Sequence, residues 1–348
     1  MKQIWKRISN WERWNFFVLY APLLPFWLWY CIRSRSFWFF SSSNPTITFG
    51  GFEGEGKKEM YDQLPPALFP RTIYISPADP LQTVEEHIKA NGFRLPFTVK
   101  PDVGMKGLLF RKINCWEQWR AYHQKITVDY LVQDWLDYSN EYSVFYFRHP
   151  TSTTGTISGF IQKDLLQVKG DGISTLSQLI ANHPKAKNRI DEMKVRHAES
   201  WTTVLPNQSI YFLSHAGNHN RGAQFTNLQH EIDDRLLQLF DVISKQTSFY
   251  YGRYDLKAGS VTQLKQGKDF SIIEFNGCGA EPNHIYDCGM SLWQAYRVLL
   301  DHWSALYEIS AYNHQKGHRY WNFWRGLRFL RFSNKHFKEV EKLDRSGI

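Results

Sequence analysis

The sequence predicts an α+β chain built as two lobes, and three observations carry that expectation. Runs of β-branched and aromatic residues broken by turn residues mark strands at residues 95–99, in two stretches between 130 and 147, and in two more between 252 and 284. Helical apolar spacing marks residues 77–92 around Val84 and Ile88, residues 227–246, and residues 289–311, where Leu292, Tyr296, Leu299, Trp303 and Leu306 make one face. A chain of 348 residues has ample length for two or three lobes around a substantial core. In order, residues 1–49 read as an apolar, basic segment that docks on a membrane or on the protein itself, closed by a linker at Ser41-Ser42-Ser43-Asn44-Pro45. Residues 50–135 read as a small α/β lobe, 136–312 as a larger lobe, and 313–348 as a basic, aromatic tail.

The chemistry concentrates in residues 252–284, GRYDLKAGSVTQLKQGKDFSIIEFNGCGAEPNH. Asp255, Glu274 and Asn276 are hard oxygen donors, and Glu274 and Asn276, two apart, share a strand face. In adjacent antiparallel strands the three converge into a carboxylate-rich cage with room for phosphate and water, the setting Mg²⁺ favours. Arg253 is expected on the side opposite Asp255 and is brought to the same cleft by a strand end or a bulge. The alternative is a surface hairpin with solvated charges. Upstream, Lys100 ends a β-segment and faces a loop holding Gly104 and Gly107, before Leu108-Leu109-Phe110 resumes the strand. An ammonium at a strand end, facing backbone N–H groups, suits phosphate oxygens.

In this order and spacing the segments resemble the ATP-grasp superfamily, most closely its D-alanine–D-alanine ligase and glutathione or cyanophycin synthetase branches. FTVKPDVGMKG resembles the family's lysine strand and glycine-rich lid, and LVQDWL followed by Glu141 resembles its adenine hinge and ribose-binding glutamate. GRYD and IIEFNG resemble its arginine and magnesium ligands, VKGDGISTLSQLI its GDG-x-ST segment, and HAGNHNRGAQFTN its N-x-S-x-GG loop. The likeness runs from about Lys57 to about Asp287.

The resemblance implies two α/β lobes clasping ATP, with the family's usual N-terminal domain truncated or replaced. It implies that Lys100 binds the α- and β-phosphates beneath the lid glycines Gly104 and Gly107, and that Lys57 (or Lys58) is the earlier phosphate lysine. The chain at Gln133, Asp134 and Leu136 would bracket the adenine, and Glu141 would take the ribose hydroxyls. Asp255, Glu274 and Asn276 would hold one or two Mg²⁺ ions, with Mn²⁺ as an alternative. Arg253 would stabilise oxyanion charge, and Arg221, always charged, is a better phosphate partner than the neighbouring His215 and His219. The implied reaction phosphorylates a carboxylate at the expense of ATP and lets an amine attack the acyl phosphate, with the protein positioning groups and neutralising charge. Three departures stand out: the hinge has Gln133 and Asp134, which rewires part of the adenine contacts, the loop GMKG lacks serines, and Gly277-Cys278-Gly279-Ala280-Glu281-Pro282 replaces the usual substrate turn, which leaves the acceptor half the more open. An ATP-grasp kinase or other phosphoryl transferase, and a non-catalytic membrane-associated scaffold, are the competing readings.

A second glycine pattern is set aside. Residues 51–57, GFEGEGK, match Gly-x4-Gly-Lys, but position 58 is Lys instead of a Mg²⁺-binding Ser or Thr, and Glu53 and Glu55 would repel phosphates. Cys31, Cys115, Cys278 and Cys288 form no C-x-x-C pair, which fits free thiols in a reducing compartment. No cleavable signal peptide is expected, because no small-residue cleavage site follows the apolar run.

The net charge of +9 sits at the ends. Residues 1–49 carry six Lys or Arg against one Glu, and residues 316–348 carry nine against three acids. The uncharged run of 19 residues from 14 to 32 is long enough to span a bilayer. Pro22 and Pro25 oppose one straight helix, and Tyr20, Trp27, Trp29 and Tyr30 prefer the headgroup level. An interfacial segment, a spanning helix and a flap on the protein's own core all remain open. Residues 319–332 place Arg325, Arg328 and Arg331 at helical spacing beside Trp324, Leu327 and Leu330, as in a basic amphipathic helix for an anionic surface or a docking helix. Nucleic acid is not expected, since the aromatics sit in apolar clusters without a recognised module. The expected setting is cytoplasmic, peripheral to the inner face of the cell membrane, with ATP, a carboxylate substrate, an amine acceptor and anionic lipid as partners.

Overall fold

The computed structural model describes residues 11–138, 140–214, 217 and 222–347. In chain order the elements begin with α1 (Phe16–Tyr20), α2 (Leu24–Ser34), α3 (Lys57–Tyr61), β1 (Thr72–Ile75), α4 (Leu81–Ala90), β2 (Phe97–Pro101), β3 (Arg111–Ile113) and α5 (Trp116–Lys125). Next come β4 (Tyr130–Asp134), β5 (Asn140–Phe147), β6 (Thr156–Asp164), β7 (Gln167–Lys169), α6 (Leu176–Asn182), α7 (Ile190–Arg196), β8 (Ile210–Phe212) and β9 (Gln224–Asn227). The last are α8 (Asp234–Gln246), β10 (Tyr251–Ala258), α9 (Val261–Lys265), β11 (Phe270–Asn276), α10 (Leu292–Gln315) and α11 (Phe323–Arg345).

These elements divide into two units. The first holds the chain up to Pro70, Leu136–Gln162 and Thr226–Lys335; the second holds Arg71–Trp135, Lys163–Phe225 and the chain from His336 on. The sequence reading placed residues 50–70 in the small lobe, but they fold into the first unit. The cause is backbone pairing: the Cys278 N–H donates to Gly50 O at 3.1 Å and the Gly279 N–H to Gly51 O at 2.9 Å. That pairing also explains Gly51, the first glycine of the discarded phosphate-loop pattern, since a Cβ there would lie 2.7 Å from the Gly277 Cα. Residues 163–225, expected in the larger lobe, belong to the second unit, and the tail is shared between the two.

In the first unit the sheet runs β11-β10-β5-β6-β9. One of its faces packs on α8, whose Leu236, Phe240 and Ile243 are buried at helical spacing. There Tyr254 lies 5.1 Å from Phe240, ring to ring, and the Tyr146 hydroxyl donates to Asp241 at 2.6 Å. The helix is shorter than residues 227–246, because Asp233 caps it by accepting from the Leu236 N–H while residues up to Asn227 pair as β9. At one end of the other face, Phe145 and Tyr251 are buried with Leu306 and Ile309 of α10. The rest of that face is polar and forms the candidate site.

Ser41 to Asn44, read from sequence as a linker, is instead buried core. Most of its polar side chains are matched, the Ser43 hydroxyl being the exception. The Asn313 amide donates to Ser42 O at 2.9 Å, the Ser42 hydroxyl to His318 O at 2.7 Å, and the Trp321 N–H to the Ser41 hydroxyl at 2.9 Å. Asn44 donates to Gly50 O and Tyr251 O and accepts from the Tyr250 and Tyr251 N–H groups. Such matching offsets the desolvation that a polar loop composition would otherwise suffer on burial. Ahead of it, Leu19 and Leu23 pack with Ile285, Ala295 and Leu299, and burying each leucine is worth about 1.5–3 kcal/mol.

The second unit holds the sheet β1-β4-β2-β3, with Ile88 of α4 and Trp119 of α5 in its core beside Phe97, Val99, Tyr130 and Val132. A smaller core of Leu176, Ile180, Met193 and Leu205 lies around the β7·β8 pair. Leu108-Leu109-Phe110, expected to resume the strand, does not; β3 starts at Arg111. Leu109 is fully buried with φ 55, and its N–H donates to the Asp344 carboxylate of α11 at 3.0 Å, which pins a left-handed turn there. The helix expected at residues 319–332 runs on to Arg345, and this extension supplies Asp344.

Candidate active site

Antiparallel register builds the site in the first unit. Asp255 of β10 stands directly opposite Glu274 of β11 and Ser143 of β5, Arg253 stands opposite Asn276, and Lys257 opposite Glu141. Directly opposed residues share a face. Glu141, Ser143, Arg253, Asp255, Lys257, Glu274 and Asn276 therefore project from one side of three neighbouring strands. The register of β10 on β11 shifts between Asp255 and Leu256, so that Ile273 is skipped. The Ile273 carbonyl accepts from the Tyr61 hydroxyl of α3 at 2.6 Å, which ties α3 to this bulge.

The expectation that Arg253 points away from Asp255 is corrected. A two-residue step along a strand returns to the same face, and Arg253 Nε and Nη2 each lie 3.3 Å from an Asp255 carboxylate oxygen. Asp255 is 3% exposed and also accepts from the Ser143 hydroxyl at 2.7 Å and the Asn276 amide at 3.3 Å. Glu274 is more open, its side chain 36% exposed, with the Lys57 ammonium 3.6 Å away. Lys58 turns elsewhere and pairs with Asp62 at 2.7 Å. Burial raises the Glu55 carboxyl to about 7, and the charge of Glu274 adds to the effect.

Several groups at the site had no sequence signal. The Glu281 carbonyl accepts from Arg253 Nη1 at 3.0 Å, and its carboxylate accepts from the Tyr20 hydroxyl at 2.8 Å and the Tyr286 hydroxyl at 2.6 Å. Burial, then the charge of Glu281, lifts both hydroxyls far above the usual tyrosine range, so they remain protonated donors. Asn283 donates to the Ser143 hydroxyl at 3.2 Å. Beside it His284 is buried, and burial lowers its imidazole to about 4, leaving it neutral. A Cβ on Gly159 would lie 2.0 Å from that ring, so only glycine fits there. Ser143 was legible in principle, two residues beyond Glu141 on the same strand.

The remaining expected residues lie in the second unit, apart from Leu136, the first residue of a first-unit segment. Lys100 sits on β2 opposite Leu131. Gly104 and Gly107 lie in the loop after it, where the Val103 carbonyl is 2.8 Å from His336 Nε2 of α11. Gln133 is buried and donates to the Thr72 hydroxyl at 2.8 Å, while Asp134 takes a two-pronged ion pair from Arg71 at 3.1 and 3.0 Å. Arg221, with His215 and His219, lies outside the described residues.

The donor set fits a divalent cation. Two carboxylates stand opposite each other on neighbouring strands with an amide on the same face, oxygen donors of the kind a divalent cation takes, and Arg253 and Lys57 each pair with one of the carboxylates.

No family model and no curated protein matches the chain. Among solved structures it is similar to a bifunctional glutathione synthetase from Pasteurella multocida, at 15% identity over 71% of this chain and 35% of that one, with a TM-score of 0.37. It is similar to a D-alanine–D-alanine ligase from Bacillus anthracis, at 11% identity over 75% and 69%, with a TM-score of 0.41. A third is an ATP-grasp ligase, PsnB, at 11% identity over 70% and 60%, with a TM-score of 0.37. The chain thus spans about a third of the length of the glutathione synthetase, 35%.

Proposed function

We propose that this chain is an ATP-grasp ligase that joins a carboxylate to an amine while ATP becomes ADP and phosphate, at the inner face of the cell membrane. The observation that supports this most is the opposed pair Asp255 and Glu274, flanked by Asn276, Arg253 and Lys57 on one sheet face. A Mg²⁺ ion held by Asp255, Glu274 and Asn276 would supply charge neutralisation on phosphate oxygens. Glu141 would accept from ribose hydroxyls, and Lys100 would donate to phosphate oxygens. Arg253, braced by Asp255 and the Glu281 carbonyl, would face the oxygen that gains charge when the carboxylate takes the γ-phosphoryl group. An amine then displaces phosphate from the acyl phosphate, forming the C–N bond and releasing a proton. Chemistry of this kind asks mainly for fixed positions, which a side chain bonded on two sides provides.

The test is a screen for ADP release with Mg-ATP against amino acids, peptides, and lipid or polysaccharide precursors carrying carboxyl groups. Release that requires both a carboxylate and an amine supports the ligase. A stable phosphorylated product without an amine would move the reading to a phosphoryl transferase. Failure to bind Mg-ATP would defeat both.

A further inference from the structure

The segment Phe16–Ser34 is apolar and long enough to cross a membrane, yet one side of it is already used. Leu19, Leu23, Trp27 and Cys31 recur every four residues and face the first unit, with Trp27 5.0 Å from Trp303 and 4.8 Å from Phe39, ring to ring. The Tyr20 hydroxyl, on the same side, is bonded to Glu281. The opposite side is bare: Phe17 is 79% exposed, Trp29 55% and Ile32 69%. This bare side continues onto α11. Phe37 touches Phe323 with ring centroids 5.9 Å apart, and Phe323 lies 5.3 Å from Trp324, which is 66% exposed.

The segments that form this patch, α1, α2 and the first turns of α11, carry basic charges and no acidic ones, although α10 beside them exposes Asp301 and Glu308. Arg33, Arg35, Arg325, Arg328 and Arg331 are exposed, while no Asp or Glu occurs between Glu12 and Glu53 or between Glu308 and Glu339. A continuous exposed aromatic and aliphatic surface marks a binding face. With five exposed arginines on its own helices and next to them and tryptophans at its edge, its chemical complement is apolar beneath and anionic around.

We propose that α1, α2 and the first turns of α11 form one surface that lies flat on an anionic lipid bilayer, neither spanning it nor avoiding it. This deepens the membrane part of the proposed function and is independent of its ligase part. A spanning helix would have to strip Leu19, Leu23 and Trp27 from their packing and break the Tyr20–Glu281 bond. Lying on the surface keeps all of these contacts. Because Glu281 also holds Arg253, docking and the reacting corner belong to one connected piece.

The test uses the full chain and flotation with two kinds of vesicle, phosphatidylcholine alone and phosphatidylcholine mixed with phosphatidylglycerol. Mg²⁺-dependent binding of a non-hydrolysable ATP analogue is measured on the same samples, so that a failed ligase reading is told apart from a failed docking reading. The chain should float with the mixed vesicles and bind the neutral ones more weakly. Each basic residue near an anionic surface contributes about a 5-fold factor, so replacing Arg325, Arg328 and Arg331 by Glu should lower partitioning by roughly 100-fold or more. The double change Phe17→Ser and Trp29→Ser should remove the salt-resistant part of the binding and leave nucleotide binding unchanged. Equal flotation with both vesicles, unchanged flotation of the Ser variant, or a monodisperse chain that ignores lipid would overturn the proposal. So would a dimer abolished by the same two changes, which would make a second copy the occupant.

Discussion

Glu274→Gln is the cleanest probe of the candidate site, because the structure sets its effects on folding and on metal binding far apart. The Glu274 side chain is 36% exposed and its ion pair with Lys57 spans 3.6 Å. The Lys57 side chain is only 11% exposed, so the pair is worth at least the roughly 0–1 kcal/mol of an exposed one. Against that stands Asp255, directly opposite across the ladder, and opposed like charges cost roughly 0.2–1 kcal/mol. The two terms oppose each other, so the variant should melt within a few degrees of the parent when Mg²⁺ is absent. Removing one of two carboxylates from a divalent-ion site has no such offset. Even outer partners of a metal site change affinity by about 10–100-fold, and a direct ligand should exceed that range. Asp255→Asn is a poorer probe. Asp255 is 3% exposed and bonds Arg253, Ser143 and Asn276, so neutralising it weakens the ion pair of a partly buried guanidinium and disturbs a connected network, which mixes a folding effect with the metal effect. The assay pairs thermal melts with calorimetric titration of a non-hydrolysable ATP analogue, with and without Mg²⁺. A Glu274→Gln variant that keeps Mg²⁺-dependent binding near the parent value would refute the metal assignment.

Further outcomes are expected from the lysines and from pH. Lys100→Ala should weaken Mg-ATP binding, and Lys57→Ala should weaken it more than Lys58→Ala, since Lys57 reaches Glu274 while Lys58 pairs with Asp62; equal effects of the two neighbours would show that the site is misplaced. Acid should remove stabilising contributions in two stages. His284 titrates near 4 in the folded chain and near 6.5 when unfolded, so the unfolded state takes up the proton first as pH falls. Its stabilising contribution is therefore complete above about pH 6.5 and is lost toward pH 4, by on the order of 3 kcal/mol. Burial alone would raise the Asp344 carboxyl, but Arg111, the Leu109 N–H and Arg196 override it and hold it below the usual range. Its contribution is present above about pH 4 and is lost as pH falls further. Glu55, raised to about 7 in the folded chain, gains stability over the first of these windows and offsets the histidine loss. The test therefore compares urea midpoints of the parent and of His284→Asn from pH 7 to pH 3. The parent should lose more stability than the variant between about pH 6.5 and pH 4, and superimposable profiles would contradict the histidine argument.

What could be read from the sequence was what side-chain alternation encodes. Glu274 and Asn276, two residues apart at the end of an apolar run, do share a face, and their strand does pair with the one carrying Asp255. The position of Arg253 was misjudged although the same rule settles it. Other features had no such signature. The pairing of Gly50 and Gly51 with Cys278 and Gly279 runs through backbone groups, which carry no residue code, so residues 50–70 could not be placed in their unit from composition. Ser41 to Asn44 had a linker's composition because what buries it, the distant Asn313, His318 and Trp321, is invisible locally. The turn at Leu109 depends on Asp344, more than two hundred residues away in sequence.

The same reasoning locates what is distinctive about the site. Of the residues proposed for the nucleotide, Lys100, Gln133, Asp134 and Glu141 sit on regular strands, where alternation places them, while Gly104 and Gly107 lie in a loop and Lys57 on α3. On the acceptor side, Arg253 is braced by Glu281, and Glu281 by Tyr20 and Tyr286. Glu281 and Tyr286 follow β11, and Tyr20 comes from the apolar N-terminal segment. That segment is fixed to the first unit by Leu19, Leu23 and Trp27, so Tyr20 is held in place instead of sampling solvent. A neutral hydroxyl bonded to a carboxylate whose backbone oxygen holds an arginine sets the position of the guanidinium without competing for its charge. Glu281 and the two tyrosines thus have a definite physical task. They couple the arginine to the helix that exposes the apolar surface.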